Sequence, residues 1–174
     1  MIRDIKVTTE RIKIIYQNKE VIACKLSVQS VIPMSIENAW DNVTKSDLLV
    51  FLAKGKVTFN PVNGRFPVIW KEGEFVKTRM MLFGLIPFGG IHTLYFKKID
   101  SLNHIIQTEE NDDASKVWNH KISLGKLDKN FIIYEDEVII YGGILTSVIT
   151  AWAKSFYIHR QKRWLLVAAN NLES

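Results

Sequence analysis

The stretch YGGILTSVITAWAKSFYIHRQKRWLLVAANN, residues 141–171, decides the fold. Gly142 and Gly143 interrupt what precedes them, and from Leu145 to Asn171 neither proline nor glycine breaks a helix. At about 1.5 Å per residue such a helix is roughly 40 Å long. With about 100° between residues, Leu145, Val148, Ile149, Trp152, Phe156 and His159 share one face, and Lys154 and Gln161 lie opposite. After Tyr157 the stripe blurs, because Trp164 and Leu165 leave it and Arg163 falls on it. The C-terminal end of the helix is expected to overhang whatever the rest packs against.

What the helix packs against is read from the residues before it. Between Val57 and Tyr141 the chain alternates apolar and polar residues in short runs separated by turn residues. Phe75–Phe83, Ile91–Ile99, His104–Glu110, Val117–Leu127 and Phe131–Tyr141 read as strands. Asn111-Asp112-Asp113 and Asp128-Lys129-Asn130 supply turns, and Asn63-Gly64 is a hairpin signal. Gly84–Gly90 reads as a glycine-rich apolar loop. Upstream, Arg11–Tyr16 and Val21–Ile32 form a strand pair around Gln17–Glu20. Two short helices follow Pro33: one capped by Ser35 and running to Val43, the other capped by Ser46 or Asp47 and running from Leu48 to Ala53. A run of strands closed by one long helix is an α+β arrangement in which a curved sheet grips the helix, with a cavity between them.

Composition narrows the function. The 174 residues suit one domain, 1–174, with 1–20 as an N-terminal extension expected to form an edge hairpin. Nine phenylalanines and five tryptophans supply enough ring area to dominate a core or a pocket wall. The single cysteine, Cys24, leaves no partner for an intrachain disulfide. Charged residues begin at Arg3 and no apolar run is long enough to span a bilayer, so a cytoplasmic location is expected. The net charge of +5 is scattered along wet strand faces, so no nucleic acid is expected as a partner. The cluster Arg160–Trp164 is the place where a transient membrane-surface contact would form. Monomer and homodimer are both compatible with the sequence.

Candidate chemistry lies on two strands. Trp118, His120, Ile122 and Leu124 fall on one face; in the next strand Tyr134, Asp136, Val138 and Ile140 do the same. A histidine and a carboxylate are thereby aimed into an apolar interior. A buried carboxylate requires a partner: Arg160 is nearest by register and His120 next. Asp136 and Arg160 then either pin helix to sheet, or His120, Asp136, Tyr134 and His159 serve as polar handles in a greasy pocket, or His120 and Asp136 transfer protons. Glu109 and Glu110 alternate faces, which leaves one of them open to burial, though a solvated turn end is the preferred reading; parity leaves the face of His92 ambiguous, and a structural role is preferred for it. The residues expected to line or orient a ligand are Trp70, Val76, Met80, Leu82, His92, Trp118, His120, Tyr134, Asp136, Trp152, Phe156, His159 and Arg160. No catalytic residue is assigned in the binding reading; His120 and Asp136 take that role in the alternative one. The four histidines lack paired ligand spacing and no dinucleotide or phosphate fingerprint occurs, so neither metal nor cofactor is expected.

Five segments carry a family resemblance: Val31–Asp41 (VIPMSIENAWD), Gly84-Leu85-Ile86-Pro87 with His92, Trp118-Asn119-His120, Tyr134-Glu135-Asp136-Glu137-Val138, and His159-Arg160-Gln161. Their order and spacing, from about Leu26 to Ala168, resemble the START-like superfamily, which includes polyketide cyclases and the birch-pollen allergen. The resemblance implies a helix-grip fold: a seven-stranded antiparallel sheet, two short helices after the first core strand, and a long C-terminal helix over a hydrophobic tunnel. It implies binding of a hydrophobic or amphipathic small molecule (lipid, polyketide or isoprenoid) more often than catalysis of the cyclase, aromatase or dehydratase type. The sequence departs from the pollen-allergen branch in lacking its glycine-rich nucleotide-like loop.

Overall fold

The computed structural model describes residues 5–172, with side chains described through residue 169. Eight strands form one antiparallel sheet: β1 (Lys6–Tyr16), β2 (Lys19–Ile32), β3 (Val57–Pro61), β4 (Phe75–Leu82), β5 (Ile86–Asp100), β6 (Ile105–Asn111), β7 (Val117–Lys126) and β8 (Ile132–Tyr141). Their spatial order is β1-β2-β8-β7-β6-β5-β4-β3. Helices α1 (Ile36–Val43) and α2 (Ser46–Ala53) follow β2, and α3 (Thr146–Leu172) ends the described chain after a short 3-10 turn at Gly143–Leu145. The helix-grip arrangement is thus present, with the seven expected strands plus the edge strand β1. β1 joins β2 through Gln17 and Asn18, both at positive φ, which is the backbone a two-residue hairpin turn requires.

Local chemistry explains the elements and three departures from expectation. Ser35 caps α1 as its sequence suggests, its hydroxyl accepting from the Asn38 N–H. Neither Ser46 nor Asp47 caps α2. The capping position is Lys45, and the helix start is held by backbone pairing instead: Ser46 N–H donates to Val68 O, and Trp70 N–H to Thr44 O. Asn63-Gly64 turns the chain but joins no tight hairpin; β4 does not begin until Phe75, and the intervening segment sends Trp70 into the core to stack on Phe96 at 4.7 Å. The 84–90 segment is not one loop. Its tip is short, β5 already starts at Ile86, and Gly89-Gly90 form a bulge where the β4–β5 register shifts. Both glycines have positive φ, and a Cβ on Gly89 would lie 2.6 Å from the Asp112 carboxylate. Only glycine lets the 112–113 turn come this close.

The buried side of α3 is rotated from the sequence expectation. Ile149, Ala153, Phe156, Tyr157, Arg160, Gln161, Trp164 and Ala168 are buried, whereas Leu145 and Val148 are exposed. A phase anchored on Leu145 and Val148, both exposed, puts Gln161 about 160° away on the wet side. Gln161 and Trp164 are in fact fully buried. Burial continues to Ala168, while Ile144 and Leu145 in the preceding turn, and Val148 and Leu166 on the helix, are exposed.

Candidate functional site

α2, α3 and the inner face of β3 to β7 enclose a cavity. It contains about 880 Å³ of space not occupied by atoms, including its opening to solvent, and about 80 Å³ of this admits the centre of a water molecule. As it stands the cavity is narrow, with room for a handful of waters. Its walls are mainly apolar: Val43, Leu48, Leu49 and Leu52 from the short helices, Trp70, and Phe59, Met80, Leu94, Phe96, Ile106 and Ile122 from the strands. Phe88, Trp118, Trp152, Phe156 and Tyr157 complete them. Of these apolar residues, Leu49, Phe59, Phe88 and Trp152 are partly exposed. Phe83, Leu85, Ile86, Ile144 and Val148, none of which lines the cavity, are exposed.

A buried polar chain runs along one wall. Alternation along β6 puts Ile106, Thr108 and Glu110 on the inner face, and β7 does the same with Trp118, His120 and Ile122. His92 donates through Nδ1 to Asp112 and through Nε2 to Glu110, both at 2.8 Å. A ring donating from both nitrogens carries a proton. Burial pushes His92 down, but the two carboxylates more than offset this and raise its pKa to about 9. Glu110 is held below the usual carboxylate range. Burial alone would raise it, and the hydrogen bond and charge of His92 outweigh that. Its other oxygen accepts from the Thr108 hydroxyl.

His120 Nε2 lies 2.8 Å from Asp136 Oδ1, while its Nδ1 is 3.9 Å from Glu110 Oε1. Asp136 also accepts from Tyr134 OH at 3.1 Å and from Gln161 Nε2 at 3.0 Å. Arg160 Nη2 is farther away, 3.7 Å from Asp136 Oδ1 and 3.5 Å from Tyr134 OH. Burial would raise the pKa of Asp136, but the Arg160 charge and the His120 hydrogen bond lower it. His120 is therefore the tighter bonding partner, whereas Arg160 supplies the larger charge effect. Gln161 also donates to Val28 O and accepts from Ser30, tying α3 to β2. Tyr134 is pushed up by burial and by Asp136, so it stays a neutral donor.

Of the residues nominated from sequence, Trp70, Met80, His92, Trp118, His120, Trp152, Phe156 and Arg160 line the cavity. Tyr134 and Asp136 sit behind it, in contact with His120 and Arg160. Val76 is in the core, and Leu82 is half-buried. His159 points elsewhere, its Nε2 bonding to Lys54 O. In the basic stretch Arg160 and Trp164 are buried, Arg163 donates to Phe51 O, and Lys162 is exposed. Glu110 is buried and bonded, not a solvated turn end. Asp112, Thr108 and Gln161 were missed. Parity with Ile106 was the signal available for Thr108 and Glu110.

No protein-family model matches the sequence, and no curated protein matches it. Solved structures do. A START superfamily protein from Mycobacterium smegmatis superposes with TM-score 0.62 at 10% identity, over 84% of this chain and 97% of the other. The chain has the START-like helix-grip fold. An aromatase/cyclase from a Streptomyces species matches with TM-score 0.59 at 9% identity, over 85% of this chain and 94% of the other. Norcoclaurine synthase from Thalictrum flavum matches with TM-score 0.59 at 12% identity, over 95% and 98%. At these identities the likeness establishes the fold alone.

Proposed function

We propose that this START-like chain binds an amphipathic small molecule in the cavity between sheet and helix. The observation that carries this reading is the asymmetry of the cavity wall. Most of it is aromatic and aliphatic, and one side carries the ordered chain Asp112–His92–Glu110 and His120–Asp136–Arg160. A greasy wall supplies affinity and a few placed polar groups supply orientation. Lipid, polyketide and isoprenoid bodies all meet the apolar requirement. A body larger than a few heavy atoms enters only as Met80, Phe88 and Trp152 shift, and a flexible thioether and two half-exposed rings are side chains suited to such movement. Native mass spectrometry on protein purified from several expression hosts tests this reading. Retained ligand supports it. Empty protein from every host, together with no shift in melting temperature across a panel of short amphiphiles, refutes it.

A second reading is proton-transfer catalysis, as in a cyclase, aromatase or dehydratase. It rests on His120, a cavity-lining residue whose Nε2 is engaged by Asp136 at 2.8 Å and whose Nδ1 lies 3.9 Å from Glu110 Oε1. In this arrangement Asp136 fixes the tautomer and His120 Nδ1 is the base. The aromatase/cyclase among the similar structures makes this chemistry worth testing. Loss of turnover in His120→Ala with an unchanged melting temperature would favour it, and turnover that survives the substitution would exclude it.

A further inference from the structure

The same polar wall constrains the ligand's head group, on the premise that the cavity binds an amphiphile. When the His120 ring is neutral, its one N–H is committed to Asp136 through Nε2, and Nδ1 presents a lone pair. Facing it at 3.9 Å is Glu110 Oε1, a carboxylate oxygen that accepts from Thr108. Two acceptors thus confront each other in the cavity wall, too far apart to share a hydrogen bond directly. The charge count agrees. With the His120 ring neutral, the carboxylates Asp112, Glu110 and Asp136 of this chain of contacts oppose the cations His92 and Arg160. One negative charge is left over in a mainly apolar cavity. We propose that the ligand's polar end is a hydrogen-bond donor, an ammonium or a hydroxyl, seated at His120 Nδ1 and Glu110 Oε1, and that carboxylate head groups are rejected.

The ammonium fits best. It offers a donor to each acceptor and cancels the surplus charge. A hydroxyl satisfies one acceptor at no charge cost. A carboxylate brings lone pairs to lone pairs and doubles the negative charge in a low-dielectric pocket.

A matched series of short chains isolates the head group: hexylamine, 1-hexanol and hexanoate at pH 7. Trp70, Trp118 and Trp152 line the cavity, so tryptophan fluorescence reports occupancy. The amine and the alcohol are expected to bind at least about tenfold tighter than hexanoate. The imidazole signals of His120 are expected to move on binding. Glu110→Gln removes the charge and is expected to erase the amine's advantage over the alcohol while the alcohol changes less than about threefold. If that variant does not fold, the ranking on the wild-type chain and the site of the NMR shifts still decide. Equal binding of all three, a preference for hexanoate, or shifts that spare His120 would overturn the head-group assignment and leave ligand binding intact. Binding of none of them would overturn both.

Discussion

Replacing Asp136 with asparagine changes almost no volume and removes one charge, so it isolates what the buried carboxylate does. Asp136 is fully buried, accepts from His120, Tyr134 and Gln161, and lies 3.7 Å from Arg160. The amide leaves Arg160 as a buried cation without a counter-charge. It also turns one acceptor oxygen into a donor, so at least one of the three donors loses its partner. Breaking a buried ion pair from one side costs about 3–5 kcal/mol, against a total of about 5–15 kcal/mol for a folded domain. For a chain of this size each kcal/mol shifts the melting temperature by about 2–4 °C, so a drop of roughly 6–20 °C is expected. The pH dependence has a definite sign. Because the folded pKa of Asp136 is lowered, its contribution is present above the unfolded value of about 3.9 and is lost as pH falls through the lower folded value. Wild-type stability should therefore fall more steeply than the variant's in acid. Thermal and urea unfolding followed by circular dichroism, between pH 3 and 8, measures both effects. A variant within about 1 kcal/mol of wild type throughout would refute the claim that Asp136 holds the polar cluster together.

Three further outcomes follow from the same contacts. Asp136→Leu combined with Arg160→Met removes both charges, and the double variant is expected to unfold at higher temperature than Asp136→Leu alone; equal or lower stability would mean Arg160 is not the group stranded. The imidazole of His92 is expected to titrate near pH 9 by NMR, and since the folded pKa is raised, the stability it contributes is full below about 6.5 and lost as pH rises through about 9. A midpoint near 6.5 would contradict the doubly bonded geometry. Gly89→Ala forces a side chain at positive φ against the Asp112 carboxylate and is expected to cost about 1–3 kcal/mol. It should also lower the His92 midpoint, because Asp112 must retreat; an unchanged midpoint would show that the bulge does not position Asp112.

Much of this architecture is written in two-residue and turn-scale patterns. Alternation along β7 and β8 puts His120 and Asp136 inside, where the structure has them, and Ser35 announces α1. Two buried polar residues depart from expectation, for different reasons. Glu110 shares parity with Ile106 and Thr108, yet as a carboxylate it was assigned to water; His92 makes its burial tolerable, and the two are eighteen positions apart. Gln161 falls outside for a different reason, a helical phase set by the exposed Leu145 and Val148, and its partners, Val28 O and Ser30, lie far off in sequence on β2. Asp112 reaches His92 only because the Gly89-Gly90 bulge admits it, a consequence of strand register that no local window contains. Long-range pairing of polar groups is the part that a single sequence hides.

Gln161 has one more implication. Grease alone tolerates a helix rolling about its own axis, because one apolar contact can replace another at little cost. An amide seated between a carbonyl on β2 and a carboxylate on β8 tolerates no such roll: a turn of even one residue would strand three polar groups in a dry interior. The azimuth of α3 is therefore set by directional bonds, and the rings it carries toward the cavity keep a fixed heading even if the contents of the cavity change.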